Sequence, residues 1–227
     1  MRYTIATIFC CFIYSFCDAQ TYTIHGKIKN LQCDSLLILK IKQGIYEGAK
    51  IKITNGYFSY TDSIREPYFV QILKLKKNSQ TSEGKLTELL VTAGEIKILG
   101  DDARPASIQI EGSEPDYILK RYLKEDELLG KEWNALKTEY DNFAEKNDTL
   151  NRKKIAQQLN QLTFEKRIPL LKQYVFANAS NVIGALIPNF CTLGEVLKKE
   201  DYLDMFNILS PEMQQTNYGK SVYNKAH

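Results

Sequence analysis

The apolar residues of this 227-residue chain change their spacing once, near Ser113. Before that point they alternate with polar residues, which is the period of a half-buried β-strand. After it they recur every three or four residues, which is the period of an amphipathic helix. A block of strands followed by a block of helices is typical of the α+β class. We therefore predict an α+β protein with a strand region over residues 20–112 and a helical region over residues 113–227.

The strand region contains roughly seven short alternating segments separated by turn residues. These segments are residues 22–28, 35–42, 51–53, 69–75, 89–91, 96–98 and 108–110. The segment 35–42 begins as a continuous apolar run, so it is a candidate central strand. Asn55 and Gly56 predict a type I′ hairpin turn, because both residue types tolerate positive φ. Short strands at this spacing favour an antiparallel β-sandwich or an open barrel.

The helical region begins with a capping sequence at Ser113 and Asp116. A long helix follows, with one apolar stripe formed by Leu129, Trp133, Leu136, Tyr140 and Phe143. A second helix follows the polar turn at Asn147, which predicts an antiparallel helical hairpin, and Pro169 should kink or break that second helix.

Three shorter helices are expected downstream of this hairpin. The first covers residues 181–190. The second covers residues 195–209, where Thr192 and Glu195 form a capping box. The third begins at Ser210, because the proline that follows it favours the first helical position.

Residues 1–19 have the layout of a secretory signal peptide. Arg2 precedes the uncharged segment 5–17, which is shorter than the roughly 20 apolar residues of a membrane span. Cleavage after Ala19 places small residues at the two positions that signal peptidase inspects. We therefore predict an exported, periplasmic protein without a transmembrane span. Two alternatives stay open: a lipid anchor on Cys17, and a buried N-terminal strand or helix.

The net charge of +3 is too small to indicate nucleic-acid binding. The excess charge lies in the strand region, where lysines recur two residues apart: Lys27/Lys29, Lys40/Lys42, Lys50/Lys52 and Lys74/Lys76. Alternate residues of a strand point to the same side of a sheet. The preferred interpretation is the solvated outer face of an antiparallel sheet. The alternative is a cationic face that binds an anionic polymer or a membrane surface.

Few side chains of the exported chain offer nucleophilic or metal-binding chemistry. Cleavage leaves Cys33 and Cys191, which can form a disulfide that closes a long loop or stay as two buried thiols. No Cys-x-x-Cys motif is present, which argues against a dithiol redox site. His25 lacks the three or four converging ligands of a metal site. We therefore predict no catalytic, cofactor-binding or metal-binding residue.

Several short motifs of the strand region occur in the order found in one bacterial domain. They are Ile24-His25-Gly26-Lys27-Ile28, Asn55-Gly56-Tyr57-Phe58, Pro67-Tyr68-Phe69-Val70, residues 93–101 and residues 108–113. The region resembles the uncharacterised β-rich domain that lies N-terminal to the catalytic domain of TlpA-like thiol-disulfide oxidoreductases. Residues 113–219 resemble the helical spacer that follows it in those proteins. The thioredoxin-like domain that usually comes next would begin about where this chain ends, so no catalytic residue carries over.

The resemblance implies a non-enzymatic binding or positioning module of an envelope thiol-redox system, with an envelope protein or a thioredoxin-like domain as partner. The alternative is the N-terminal part of a thiol-disulfide oxidoreductase whose catalytic domain is missing or separately encoded. A third hypothesis is a structural or adhesive envelope protein. Many bacteria with this domain O-glycosylate exported proteins at Asp-Ser/Thr followed by an apolar residue, so the resemblance also implies this modification. Ser35, Ser63 and Thr149 match this pattern.

Overall fold

The computed structural model describes residues 20–42, 44–76 and 81–227. The predicted signal peptide and Cys17 lie outside the described residues. The strands are β1 (Gln20–Lys29), β2 (Ser35–Lys42), β3 (Ile45–Lys52), β4 (Tyr57–Ile64), β5 (Tyr68–Leu75), β6 (Ser82–Val91), β7 (Gly94–Asp101) and β8 (Arg104–Glu111). The helices are α1 (Glu114–Glu145), α2 (Thr149–Gln161), α3 (Ile168–Ala177), α4 (Val182–Phe190), α5 (Lys199–Ile208), α6 (Pro211–Gln215) and α7 (Asn217–Ala226). A π-helical segment, Leu162–Arg167, joins α2 to α3. The predicted α+β class is confirmed.

The strands form two four-stranded sheets with a shared apolar core, as in a β-sandwich. Their orders are β4-β1-β7-β8 and β3-β2-β5-β6, so β2 is a central strand as predicted. The core includes the fully buried residues Tyr22, Ile24, Leu36, Ile38, Val70, Ile72, Ile96 and Ile98. One feature differs from the antiparallel prediction: β1 and β7 pair in parallel. Parallel pairing requires a long crossover, and β2 to β6 supply it.

The predicted turn at Asn55 and Gly56 is present, but it does not connect a hairpin. Both residues have positive φ, 53° and 76°. Thr54 and Tyr57 exchange two backbone hydrogen bonds of 2.9 Å across the turn. Beyond this single bridge the chain diverges, because β3 and β4 belong to different sheets. The turn therefore carries the chain from one sheet of the sandwich to the other.

The helical region packs on the outer face of the sheet that contains β5 and β6. Leu90 and Phe69, which point away from the sandwich core, join the apolar cluster of the helices. Ser113 caps α1 as predicted, and its hydroxyl also donates to the Leu90 carbonyl at 2.7 Å. The Asp116 carboxylate accepts from the Leu90 amide at 2.8 Å. These two bonds attach α1 to β6 at the boundary between the two regions.

The expected irregularity at Pro169 takes the form of the π-helical segment. The residues at its two ends, Gln161 and Ile168, have helical φ and ψ, so the helix continues through the segment. The Ile168 amide bonds to the Thr163 carbonyl, five residues back. Pro169 has no amide hydrogen to give to the preceding turn, and the wider π turn accommodates this loss.

The predicted capping box at Thr192 and Glu195 is wrong. Helix α5 begins at Lys199, and the Asp201 carboxylate accepts from the amide of its cap residue, Lys198, at 3.0 Å. The Thr192 hydroxyl is instead engaged by a buried ion pair described below. A contact with residues far along the chain therefore takes the place of the local capping interaction.

The last predicted helix begins at Ser210, as expected, but it is divided in two. Ser210 caps α6, and its hydroxyl accepts from the Met213 amide at 3.4 Å. Thr216 ends α6 and caps α7 through the Gly219 amide at 3.0 Å. A second hydroxyl cap explains the break, because it offers the backbone a start signal inside the expected helix.

The predicted helical hairpin is confirmed, and its outer part, residues 127–161, is called the arm. The buried residues of α1 all precede the arm: Asp116, Leu119, Tyr122 and Asp126. In α2 only Ile155 is buried. The predicted stripe of α1, which includes Trp133, is half-buried against α2. The α1 part of the arm is about 28 Å long at the helical rise of about 1.5 Å per residue.

Across the described residues, no helix combines the length and the apolar character that crossing a membrane requires.

Candidate functional site

A cleft of about 1160 Å³ lies between the sandwich and the helical region. Its floor is the outer face of β2 and β5, where Ile41 and Phe69 are paired neighbours. The segment that connects β4 to β5 forms one rim, and the end of α4 together with one face of α7 forms a wall. The cleft therefore exists only because the helices pack against part of the sheet and leave the rest open.

Aromatic side chains join the two regions at one end of the cleft. The Phe69 and Phe190 rings are 4.8 Å apart between centroids, and Phe190 and Tyr218 are 6.3 Å apart. The Tyr218 hydroxyl donates to the Pro67 carbonyl at 3.0 Å. Burial raises the pKa of Tyr218 to about 12, so this phenol stays a hydrogen-bond donor at neutral pH. Phe190 remains 42% exposed and presents apolar surface to the cleft.

The carboxylates that line the cleft already have hydrogen-bond donors. The Asn217 side-chain amide donates to Glu66 at 2.7 Å, and the Gln71 side-chain amide donates to Glu88 at 2.6 Å. Glu88 also forms an ion pair with Lys85 at 3.4 Å, whereas the contact to Glu66 is made by a neutral donor. Both carboxylates are therefore held in position by the protein itself.

The cations that line the cleft retain unused donors. The ammonium of Lys42 lies 4.5 Å above the Tyr68 ring and 3.7 Å from Glu47. The ammonium of Lys225 makes a 3.5 Å contact to the Pro188 carbonyl. Arg65 is exposed and has no ion pair or hydrogen bond within residues 20–42, 44–76 and 81–227. The cleft thus offers three positive groups beside an aromatic wall.

The lysine pairs form the predicted solvated face only in part: Lys27, Lys29, Lys50, Lys52 and Lys76 are exposed, but Lys40 and Lys74 are not. Lys40 points to the same side of β2 as the core residue Ile38, and its ammonium bonds to Asp62 of the facing sheet at 2.8 Å and to Glu47 at 2.9 Å. Lys74 bonds in the same way to Asp102 at 2.9 Å. The prediction is therefore wrong for these two lysines, which link the two sheets at the sandwich margin.

The opposite face of β2 is apolar instead. Leu37, Leu39 and Ile41 are half-buried there, on the side of the sheet that the helices partly cover. A sheet with cover on both sides needs apolar residues on both faces of its central strand. This explains why the segment begins as a continuous apolar run and why its lysines occupy the margin.

Cys33 and Cys191 are free thiols that belong to different apolar clusters. Cys33 is buried in the sandwich core, whereas Cys191 packs against the helical core and contacts the Pro188 carbonyl at 3.6 Å. Burial raises the pKa of both thiols, so neither has the thiolate character of a redox cysteine. The disulfide stays the alternative to two separate thiols, and a mass measurement with and without reductant decides between them.

The three predicted O-glycosylation residues lie in very different surroundings. Ser35 is buried, with 8% exposure. Ser63 is exposed on β4, but the neighbouring Asp62 is bonded to Lys40. Thr149 is exposed at the tip of the arm, where it follows the cap residue Asp148. Modification stays a prediction, and an intact mass equal to the bare polypeptide would contradict it.

His25 is exposed on β1, and its Nδ1 lies 3.3 Å from the Ser59 hydroxyl. In the part of the chain that the structure describes, no three His, Cys, Asp or Glu side chains are grouped in a way that could hold a metal ion.

A buried polar cluster at the base of the arm was not predicted. Arg167, from the π-helical segment, donates to both carboxylate oxygens of Asp126 at 2.8 Å. The Thr192 hydroxyl donates to Asp126 at 2.5 Å and accepts from Arg167 at 2.6 Å. The hydrogen bonds that Arg167 donates to Asp126 raise the pKa of Arg167, which stays charged. The signal in the sequence is that Asp126 occupies a position of the apolar stripe of α1, where a charge needs a buried partner.

Comparison with known proteins adds one similarity. No curated protein matches the chain. Residues 22–116 match a family described as "Domain of unknown function (DUF4369)". The match begins in β1 and ends in the first turn of α1, so it covers the sandwich and the cap at Ser113. By this comparison, the sandwich is the part of the chain that is similar to the DUF4369 family.

Proposed function

We propose that this protein is an exported, non-enzymatic binding module whose cleft holds an acidic peptide segment with apolar side chains. The observation that carries the proposal is that the carboxylates of the cleft have hydrogen-bond donors, whereas its cations have few acceptors. Its two carboxylates are held by amide donors, whereas Arg65, Lys42 and Lys225 keep donors for a bound group. A ligand carboxylate would satisfy them.

The shape and chemistry of the walls support this class of ligand. Ligand sites are concave and mostly apolar, with a few polar groups that set orientation. Phe69, Phe190 and Tyr218 supply the apolar surface, and an arginine can bind a carboxylate through two parallel hydrogen bonds. The volume exceeds the common range of about 300–1000 Å³ for small-molecule pockets, which favours a peptide segment.

Association with an envelope thiol-redox system is part of the proposal and depends on the resemblance to the N-terminal region of TlpA-like oxidoreductases. The match of residues 22–116 to a domain of unknown function is compatible with it. In this scheme the bound segment belongs to an envelope protein or to a thioredoxin-like domain. The competing hypothesis is a lead-in to a catalytic domain that is missing or separately encoded. A neighbouring open reading frame that encodes a Cys-x-x-Cys thioredoxin-like domain would favour that hypothesis.

The binding proposal is tested with fluorescein-labelled peptides that combine phenylalanine with glutamate, and with matched peptides in which lysine or glutamine replaces glutamate. We expect fluorescence anisotropy to show binding of the glutamate peptides alone, with affinity that falls as salt rises. Arg65→Gln should weaken binding about tenfold, the size of one charge-assisted hydrogen bond. Lys97→Gln is the matched control, because Lys97 is exposed on the other sheet.

Equal binding of the glutamate and lysine peptides, or an unchanged affinity of the Arg65→Gln variant, would contradict the site. The non-enzymatic part is tested separately by reduction of a model disulfide with dithiothreitol as the electron donor. We expect a rate equal to that of dithiothreitol alone, because both thiols are buried or packed and their pKa values are raised. A rate above that background would overturn it.

A further inference from the structure

We infer that a second copy of this chain docks along the arm, so that two arms form a parallel four-helix bundle with the two-fold axis along the arm. The inference does not depend on the cleft or on its ligand. It rests on two properties of residues 127–161: an incompletely covered apolar stripe and charges without partners on opposite helices.

The apolar stripe of the arm has cover on one side only. Its α1 residues are half-buried, although the same helix buries Leu119 and Tyr122 completely near its base. Beside this stripe, two further leucines are exposed: Leu128 at the base of the arm, at 61%, and Leu150 of α2 at the tip, at 79%. Two packed helices shield from water only the side chains that lie between them. A helix in a four-helix bundle has two neighbouring helices and therefore buries a wider face. A second hairpin would supply the missing neighbour.

The charges of the arm are segregated between its two helices. The α2 part carries Arg152, Lys153 and Lys154 and no acidic residue, whereas acidic residues outnumber lysines in the α1 part. The ion pairs of the arm stay within α1 or at its base: Lys131–Glu127, Lys137–Asp141 and Lys166–Glu132. No ion pair joins α1 to α2 within the described residues. Glu139, Glu145, Lys153 and Lys154 therefore have no charged partner in that part of the chain.

These unpartnered charges lie at similar heights on the arm. The chain turns at Asn147, and Glu139 and Lys153 are each a few residues from that turn. With about 1.5 Å per residue, they differ in height by less than about one helical turn. A two-fold axis along the arm places tip beside tip, and α1 of one copy then faces α2 of the other. Each unpartnered acidic segment thereby meets an unpartnered basic segment, and the symmetry forms the contact twice.

A tip-to-base arrangement is less favourable. It would place Lys153 and Lys154 against Glu127 and Glu132, which already pair with Lys131 and Lys166. The parallel arrangement alone uses the charges that lack partners. Charge complementarity of this kind fixes register and partner choice in helical assemblies.

The test is sedimentation velocity of the chain after removal of the predicted signal peptide, with two charge-reversed variants. One variant combines Glu139→Lys with Glu145→Lys, and the other combines Lys153→Glu with Lys154→Glu. We expect the unchanged chain to sediment as a dimer and each variant alone to dissociate at least about tenfold more readily, because the reversed charges then face charges of the same sign on the other copy. An equimolar mixture of the two variants should form a heterodimer.

The matched control combines Lys50→Glu with Lys97→Glu, which reverses two exposed lysines of the sandwich and gives the same net charge as the α2 variant. This control should remain a dimer, and circular dichroism should show the same helix content for all the variants. A monomer at concentrations on the order of 100 µM would overturn the inference. A dimer that neither charge reversal weakens would also overturn it, because the interface would then lie elsewhere.

Discussion

The two halves of α1 have the same apolar spacing but very different surroundings. The half before the arm buries Leu119, Tyr122 and Asp126 between β6 and the other helices. The half within the arm has a stripe of larger side chains, including Trp133, that stays half-buried. The comparison shows that helical period indicates which face of a helix is apolar, whereas burial depends on how many neighbouring elements reach that face.

The difference extends to the polar contacts of the two halves. Near the base, Asp126 and Arg167 form a bidentate pair whose side chains are 1% and 11% exposed. Within the arm, the Lys131–Glu127 pair is more than half exposed on both sides. Water screens the second pair and not the first. We therefore expect substitutions near the base to unfold the protein and similar substitutions in the arm to leave it folded.

The largest expected effect comes from Arg167→Met. It leaves the Asp126 carboxylate buried without its cation, and breaking a buried pair in this way costs about 3–5 kcal/mol of unfolding free energy. Lys131→Met, which removes the cation of the exposed pair in the arm, should have no measurable effect. Urea unfolding followed by circular dichroism measures both. Equal destabilisation by the two substitutions would remove the distinction between base and arm.

Leu119→Ala should have the next largest effect. Leu119 is 2% exposed, and truncation of a buried leucine costs about 2–5 kcal/mol because it removes apolar contact and leaves a cavity. Leu136→Ala in the arm should cost less than half as much, since part of that side chain already lies in water. The comparison is made by urea unfolding at concentrations too low for association. A larger loss from Leu136→Ala would mean that the arm is covered within one chain.

A smaller effect is expected from Asp62→Asn, and it should depend on pH. Burial alone would raise the pKa of Asp62, but hydrogen bonds from Lys40, the Ser63 amide and Tyr60 outweigh it and hold the pKa below the ordinary value of 3.8. Because the pKa of Asp62 is lower in the folded than in the unfolded state, the carboxylate stabilises the protein at pH values above its unfolded-state pKa. This contribution is lost as the pH falls through the folded-state pKa. At pH 7 we expect a loss of about 1–2 kcal/mol, the contribution of hydrogen bonds to a charged group.

The matched substitution in the arm is Asp148→Asn, which keeps a good capping residue at the start of α2 and should be nearly silent at pH 7. Thermal unfolding between pH 3 and pH 7 checks both variants. Asp62→Asn should flatten the acid limb of the stability curve. An unchanged acid limb would show that the link between the two sheets through Lys40 contributes nothing.

The smallest expected effect on stability is that of reductant, which should be zero. Cys33 and Cys191 are free thiols in separate clusters, so the protein should have the same mass and melting temperature with and without dithiothreitol. Both should react slowly with iodoacetamide because they are buried or packed and their pKa values are raised. Lys97→Cys, at an exposed position of β7 outside the arm, should react quickly. A mass increase of two hydrogens on reduction would instead establish the disulfide.

Local features of this protein followed the sequence closely. The boundary at Ser113, the caps at Ser113 and Ser210, the turn at Asn55 and the hairpin around Asn147 depend on side chains that bond within a few residues. Such contacts form from neighbouring residues whatever the rest of the chain does. The seven predicted strand segments were also located, but β4 was not among them and the pairing partners of the strands were not predicted.

The errors share one physical origin, which is competition from residues far along the chain. The strand after Asn55 pairs with β1 and not with β3, and Thr192 bonds to Asp126 and Arg167 and does not cap a helix. The cleft itself could not be predicted, since Phe69 and Phe190 are brought together from different regions. The spacing of apolar residues indicates which face of a strand or helix is apolar, but not which other element will pack against that face.

The sequence by itself determined the order of strands and helices, the caps at Ser113 and Ser210, the turn at Asn55, and the scarcity of reactive side chains. Only the tertiary structure decided which sheet each strand joins, which lysines link the sheets, and where the cleft and the arm lie. The reason is that apolar spacing and helix capping involve residues that are close in the chain. Burial and hydrogen-bond partners are supplied instead by distant segments that pack against these elements.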